Sequence, residues 1–78
     1  MSDKLLEVFS EVLGLAVADL TEETSPDNTS EWDSLAAMNL VSLIEDTFDV
    51  HLSTKEIMKM RSIAIVREVL KAKDAEGL

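Results

Sequence analysis

The sequence predicts an all-α fold: a small four-helix bundle, three main helices plus one short helix, with a long loop between helices one and two. Three observations carry that expectation. Apolar residues recur at spacings of three and four through most of the chain, the period of a single helix face. Good N-cap residues stand ahead of each such run, at Ser2 or Asp3, Asp33, Ser53 and Ser62. Residues that break helices are scarce, with only 2 Gly and 1 Pro among 78 residues.

The first helix places Leu5, Leu6, Val8, Phe9, Val12 and Leu13 on one face, and Gly14 ends it or lies near its end. From about Leu15 to Trp32 the chain is rich in Thr, Ser, Asp and Glu, with Pro26 in the middle. This is an acidic loop with room for a short helical turn around Val17 to Leu20, and loops so long in a small domain are usually functional. A second helix begins at Asp33 and runs to about Asp49. Asp33 caps it, and Trp32 is placed to pack against Ala37 as a hydrophobic staple. At about 100° per residue, Ala37, Val41, Ile44 and Phe48 fall inward, whereas Leu35, Asn39, Ser42 and Asp46 fall outward together with Leu43. Ser53-Thr54-Lys55-Glu56 reads as a capping box opening a short third helix through about Met60. Ser62 caps a fourth helix, with Ile63, Val66, Val69 and Leu70 inward. Met38, Met58 and Met60 lie on or beside the inward faces of helices two and three. Their expected role is core filling by flexible side chains, which also lets a bundle open for an apolar chain. One domain is expected over 1–78, ordered from about 3 to 73, with a frayed tail from Asp74.

Charge narrows the function. The chain carries 16 acidic and 7 basic residues, for a net charge of −9. No basic residue falls between Leu5 and Thr54, a stretch holding 11 carboxylates. Those carboxylates are expected to repel one another and to attract partners with basic patches. Nucleic acid is excluded as a partner, because such a field repels phosphate backbones. No apolar run is long enough to span a membrane, and the N-terminus lacks a basic stretch followed by an apolar one. A cytoplasmic monomer is therefore expected.

Sets of residues for catalysis are missing. There is no Cys, and His51, in the connector Val50-His51-Leu52, is the only histidine, so no nucleophile–base pair is legible. The acidic loop also fails as a calcium loop, which needs Gly at its sixth position and Glu at its twelfth. Counted from Asp19 those positions are Thr24 and Ser30, and from Asp27 they are Trp32 and Met38. Neither a catalytic residue nor a metal site is expected.

The distinctive element is Trp32-Asp33-Ser34-Leu35, followed by Leu40, Val41, Ile44 and Glu45, then Phe48-Asp49-Val50 and Leu52. On these residues, and on helix spacing from the first helix through the fourth, the sequence resembles the acyl carrier protein family. The resemblance implies a non-catalytic carrier with 4'-phosphopantetheine, taken from coenzyme A, attached covalently to Ser34 within the motif that Asp33 begins. It also implies partners: a phosphopantetheinyl transferase, an acyl-loading ligase or acyltransferase, and downstream biosynthetic enzymes. The position suits the chemistry. A serine in the first turn of a helix is exposed, and a phosphodiester on it lies near free N–H groups and the positive end of the helix dipole.

The sequence departs from the family in one respect. Carriers of fatty acid synthesis resembling this chain have acidic residues soon after the modified serine, on the exposed face; here those places hold Ala36, Ala37 and Asn39. The expected partner-facing stripe is Leu35, Asn39, Ser42 and Asp46, with a single formal charge, and this points to a carrier for a specialised pathway. Peptidyl carriers usually have a Gly pair before the modified residue, which Ser30-Glu31-Trp32 lacks. A D-alanyl or other aminoacyl carrier remains an alternative, since such proteins also have Trp before Asp-Ser. From another class, an acidic helical interaction adaptor would use Ser34 only as a helix residue.

Overall fold

Each helix starts where a side chain can take up the N–H groups that the first turn leaves unpaired. The computed structural model describes residues 3–75. Its elements are α1 (Lys4–Leu13), a 3-10 turn (Val17–Asp19), α2 (Ser34–Phe48), α3 (Thr54–Lys59) and α4 (Ile63–Ala72). All regular structure among the described residues is helical, as the sequence predicts. Asp3 caps α1 by accepting the Leu5 and Leu6 N–H groups at 3.0 and 3.3 Å; Ser2, the other candidate, lies outside the described residues. Gly14 closes α1 in the left-handed region at φ 71, its N–H donating to Ser10 O. A Cβ there would meet nothing within 4 Å, so the requirement for glycine is one of backbone and not of space. Ser53 and Glu56 form the expected capping box at α3, and Ser62 Oγ accepts the Ile65 N–H at α4. The tail from Asp74 falls mostly on residues 76–78, outside the described residues. Asp74 and Ala75 donate to the carbonyls of Lys71 and Leu70.

The core draws on α1, α2 and α4, with Leu20, Trp32, Leu52 and Met60 added from the segments between helices. Leu5, Phe9, Leu40, Ile44, Ile63, Val66 and Leu70 are almost fully buried, with Leu20 and Trp32 supplied by the loop. Trp32 meets Phe9 of α1 edge to face, with centroids 5.0 Å apart. The entry to α2 is thus pinned to α1, and Ala37 only shares a cavity wall with Trp32.

Three expectations for α2 and α3 are corrected. The buried row of α2 is Ala36, Leu40, Ile44 and Phe48, so Ala37 and Val41 flank the core while Ala36 lies in it. Met38 and Met58 face solvent, each 72% exposed, and Met60 alone of the three is buried. Leu43 is only in part an outward apolar spot: half-buried, it packs against the core, as Val69 does, and also lines a surface crevice beside Asn39, Ser42 and Asp46. The polar residues Asn39, Ser42, Glu45 and Asp46 leave a broad apolar arc on α2, so its own pattern does not fix which row within that arc is buried. Packing against α1 decides it.

The loop is tied down at both walls. Ile63 and Ala64, first-turn N–H donors of α4, reach back to the carbonyls of Thr24 and Glu22 at 3.1 and 3.0 Å. Thr24 is buried, and its Oγ1 accepts the Thr21 N–H. Asn28 Oδ1 accepts the Ser25 N–H, and its Nδ2 donates to Glu23 O. Arg67 of α4 then clamps Glu22 at 2.8 Å and Asp3 at 2.9 Å. For Asp3, burial alone would raise the carboxyl, but the Arg67 guanidinium and the Leu6 and Leu5 N–H groups outweigh it and hold it below its usual value. Hydrogen bonding from Arg67 lowers Glu22 likewise, and the two carboxylates raise Arg67 further. Glu56 is drawn down to about 2 by the Ser53 backbone N–H and by Lys73, which lies 2.9 Å away. Within the acidic stretch itself, Glu22 and Asp27 gain arginine partners from the C-terminal quarter, which corrects for those two the expectation of carboxylates without basic partners.

Candidate functional site

Asp33 is extended (φ −98, ψ −173) and its Oδ1 accepts the Ala36 N–H at 2.9 Å, which starts α2 at the next residue. Ser34 is that residue. Its side chain is exposed. The N–H groups of Ser34 and Leu35 have no acceptor within the helix and point out of its N-terminal end. No acidic side chain lies within the first turn of α2 to offset the dipole there. The site can hold an anion on the Ser34 hydroxyl without burying it.

Beside Ser34 runs an open groove of about 420 Å³ between the loop, α2 and α3. Pro26 and Trp32 form its loop wall, Ala37 its α2 wall, and Ile57, Met58 and Met60 its α3 wall. Arg61 stands at its edge, paired with Asp27 at 3.4 Å. Adjoining it, a small space of about 20 Å³ is lined by Trp32, Ala37, Leu40, Val41, Ile57 and Met60, all apolar.

Residues 3–69 match the family model described as a phosphopantetheine attachment site. Over 74 residues the chain is 32% identical to an acyl carrier protein of Syntrophus aciditrophicus (strain SB), covering 95% of this chain and 92% of the relative. The chain belongs to the acyl carrier protein family.

Membership assigns the prosthetic group, covalently attached 4'-phosphopantetheine. The site fits that group on its own geometry: an exposed hydroxyl, unpaired N–H groups beside it, and an adjoining open groove. Acyl carrier proteins are not themselves catalytic; they work with a transferase and with biosynthetic enzymes. Among the described residues no helix is long and apolar enough to cross a membrane, and no group of three His, Cys, Asp or Glu side chains could hold a metal ion.

The outward stripe of α2 divides in two. Asn39, Ser42 and Asp46, with Leu43 among them, border a shallow crevice of mixed polarity with Glu11 and Val12 of α1. Leu35, 69% exposed, lies at the Ser34 end, outside that crevice. Ala36 cannot be an uncharged docking position, because it is buried; of the three departures only Asn39 is fully exposed and Ala37 lines the groove. Sequence reasoning missed the exposed Met38 and Met58, and also Arg61. Counting Leu40 among the inward residues would have rotated the face of α2 and turned Met38 outward, since a large aliphatic side chain gains more from burial than Ala37 does. Arg61 had no such signal, because only the chain's return past Pro26 brings it to the groove. His51 is an exposed connector residue, as expected, 3.5 Å from Glu45.

Proposed function

We propose that Ser34 is the attachment residue and that the protein carries acyl intermediates as thioesters for a specialised biosynthetic pathway in the cytoplasm, where coenzyme A and the enzymes that use carriers are found. The observation that carries this reading is the exposed Ser34 hydroxyl at the first turn of α2, beside an open groove and within the matched span. Asp33 holds the turn so that the hydroxyl stays presented, and because its carboxylate is engaged in capping α2, the proton that the hydroxyl loses on modification is taken by the transferase. When attached, the arm supplies a thiol that forms thioesters and reaches partner active sites, raising the local concentration of its cargo. Leu35, Asn39, Ser42 and Asp46 form the partner face, Leu35 next to the arm and Asp46 toward its edge. Asn39 supports a specialised partner, because it leaves an exposed position uncharged where the resemblance expects a carboxylate. An aminoacyl cargo is a second reading, and Trp32 before Asp33-Ser34 favours it, although burial against Phe9 gives that ring a packing role of its own.

Co-expression with a phosphopantetheinyl transferase followed by intact mass is the test. The wild type should gain one group, and Ser34→Ala should gain none while keeping its helical signal, since Asp33 still caps α2. Modification of the variant, or mapping to Ser30, Ser42 or Ser53, would sink the assignment. An unmodified wild type would favour the adaptor.

A further inference from the structure

The groove beside Ser34 holds one cation. Arg61 lines it with Pro26, Trp32, Ala37, Met58 and Ser34 itself, and the one anion on its wall is the cap Asp33. Attaching a phosphodiester to Ser34 adds a permanent negative charge next to that carboxylate. The first-turn N–H groups offset part of the repulsion, but they carry only partial charge. A guanidinium is suited to the remainder, because its parallel N–H donors match the two non-bridging oxygens of a phosphodiester.

Arg61 is also free to move. Its present partner is a single contact with Asp27 at 3.4 Å, between side chains 60% and 83% exposed. Such a pair contributes little and is readily exchanged. The fold has not used Arg61 elsewhere, whereas the part-buried Arg67 is committed to two carboxylates at 2.8 and 2.9 Å.

Resting on the reading of Ser34 as the attachment residue, we propose that Arg61 is the counter-cation of the prosthetic arm: it leaves Asp27 and pairs with the phosphodiester once Ser34 carries it. The arm then starts along the groove instead of into solvent. Asp27 is released at the same moment, so the modified protein presents a bare carboxylate on the loop that the unmodified protein neutralises. Enzymes that must tell the two forms apart thereby meet a different charge pattern on the loop beside the groove.

The experiment compares unmodified and modified full-length protein, the latter made with a purified transferase and checked by mass. The Arg61 Nε–Hε and Asp27 carboxyl carbon resonances should shift together on modification. Raising the salt to about 1 M, where screening reaches ~3 Å, should weaken both pairings, so that the Arg61 and Asp27 signals of the modified and unmodified proteins converge. In modified Arg61→Gln the methylene signals of the arm should report faster motion, with the ordered fraction roughly two- to five-fold lower than in the wild type. Arg61→Lys should lie between, keeping the charge without the paired donors. Unmoved Arg61 and Asp27 signals in protein whose mass shows one arm at Ser34 would overturn the proposal. So would an arm as ordered in Arg61→Gln as in the wild type. A mass with no group on Ser34 would instead overturn the attachment reading, and this proposal with it.

Discussion

Two arginines of the same C-terminal segment serve different ends. Arg67 is 18% exposed and holds both the start of α1 and the acidic loop against α4. Arg61 is mostly in solvent and meets one loop carboxylate at longer range. Around Arg67 the loop is fixed by backbone hydrogen bonds and a buried threonine. Beside Arg61 lies an open groove with the exposed Ile57 and Met58 on its wall, and Leu35 and Met38 are exposed on α2. The contrast teaches that this small protein concentrates its fixed contacts where α4 meets the loop. The surface around Ser34 is left apolar and loosely paired, the character of a surface meant to be covered by partners.

The largest test of that division compares two residues on α2. Leu40→Ala removes a buried side chain and should cost about 3 kcal/mol or abolish folding outright. Met38→Ala, two residues earlier, should stay within about 0.5 kcal/mol of the wild type. Urea titrations followed by the fluorescence of Trp32, the only tryptophan, measure both. Equal losses would erase the distinction between a packed side and an open one.

The clamp comes next. Arg67→Met should cost about 1–2 kcal/mol at neutral pH, a charge-assisted value reduced because Glu22 and Asp3 are partly exposed. The carboxyls of Asp3 and Glu22 sit below their usual 3.8 and 4.5 in the folded protein, so their stabilisation is present above those values. It is lost as pH falls through the lowered folded values, where protonation ends the pairing. The gap between wild type and variant should therefore be constant near neutrality and close below about pH 4. A gap that persists at pH 2 would mean that the guanidinium stabilises through hydrogen bonds that survive protonation of the carboxyls and not through charge pairing.

The smallest effects concern docking. Leu35→Ala should weaken a cognate loading enzyme by about 1 kcal/mol or more, as truncating a central apolar anchor does. Asp46→Ala should cost less than about 1, chiefly through a slower association rate. Asn39→Glu should improve recognition by enzymes of fatty acid synthesis and impair the cognate enzyme. Binding measured at two salt concentrations decides; if Asp46→Ala is the more damaging and high salt abolishes binding, the partner face works by charge.

The sequence alone determined where helices begin and end. Asp3, Asp33, Ser53 and Ser62 cap the elements that they were expected to cap, and Ser34 opens α2. Capping is legible because donor and acceptor lie two or three residues apart, so the motif contains its own partners. The position of Ser34 was legible for the same reason. Tertiary structure alone decided which face of α2 is buried, and with it that Ala36 lies inside and Met38 outside. A broad apolar arc offers several rows, and the winner is the one that a neighbouring helix can reach. It also decided the charge pairs. Arg67 finds Asp3 and Glu22 across 64 and 45 residues of sequence, and Arg61 finds Asp27 across 34. Separations of that size leave no pattern in a sequence, because only the closed chain brings such groups within reach.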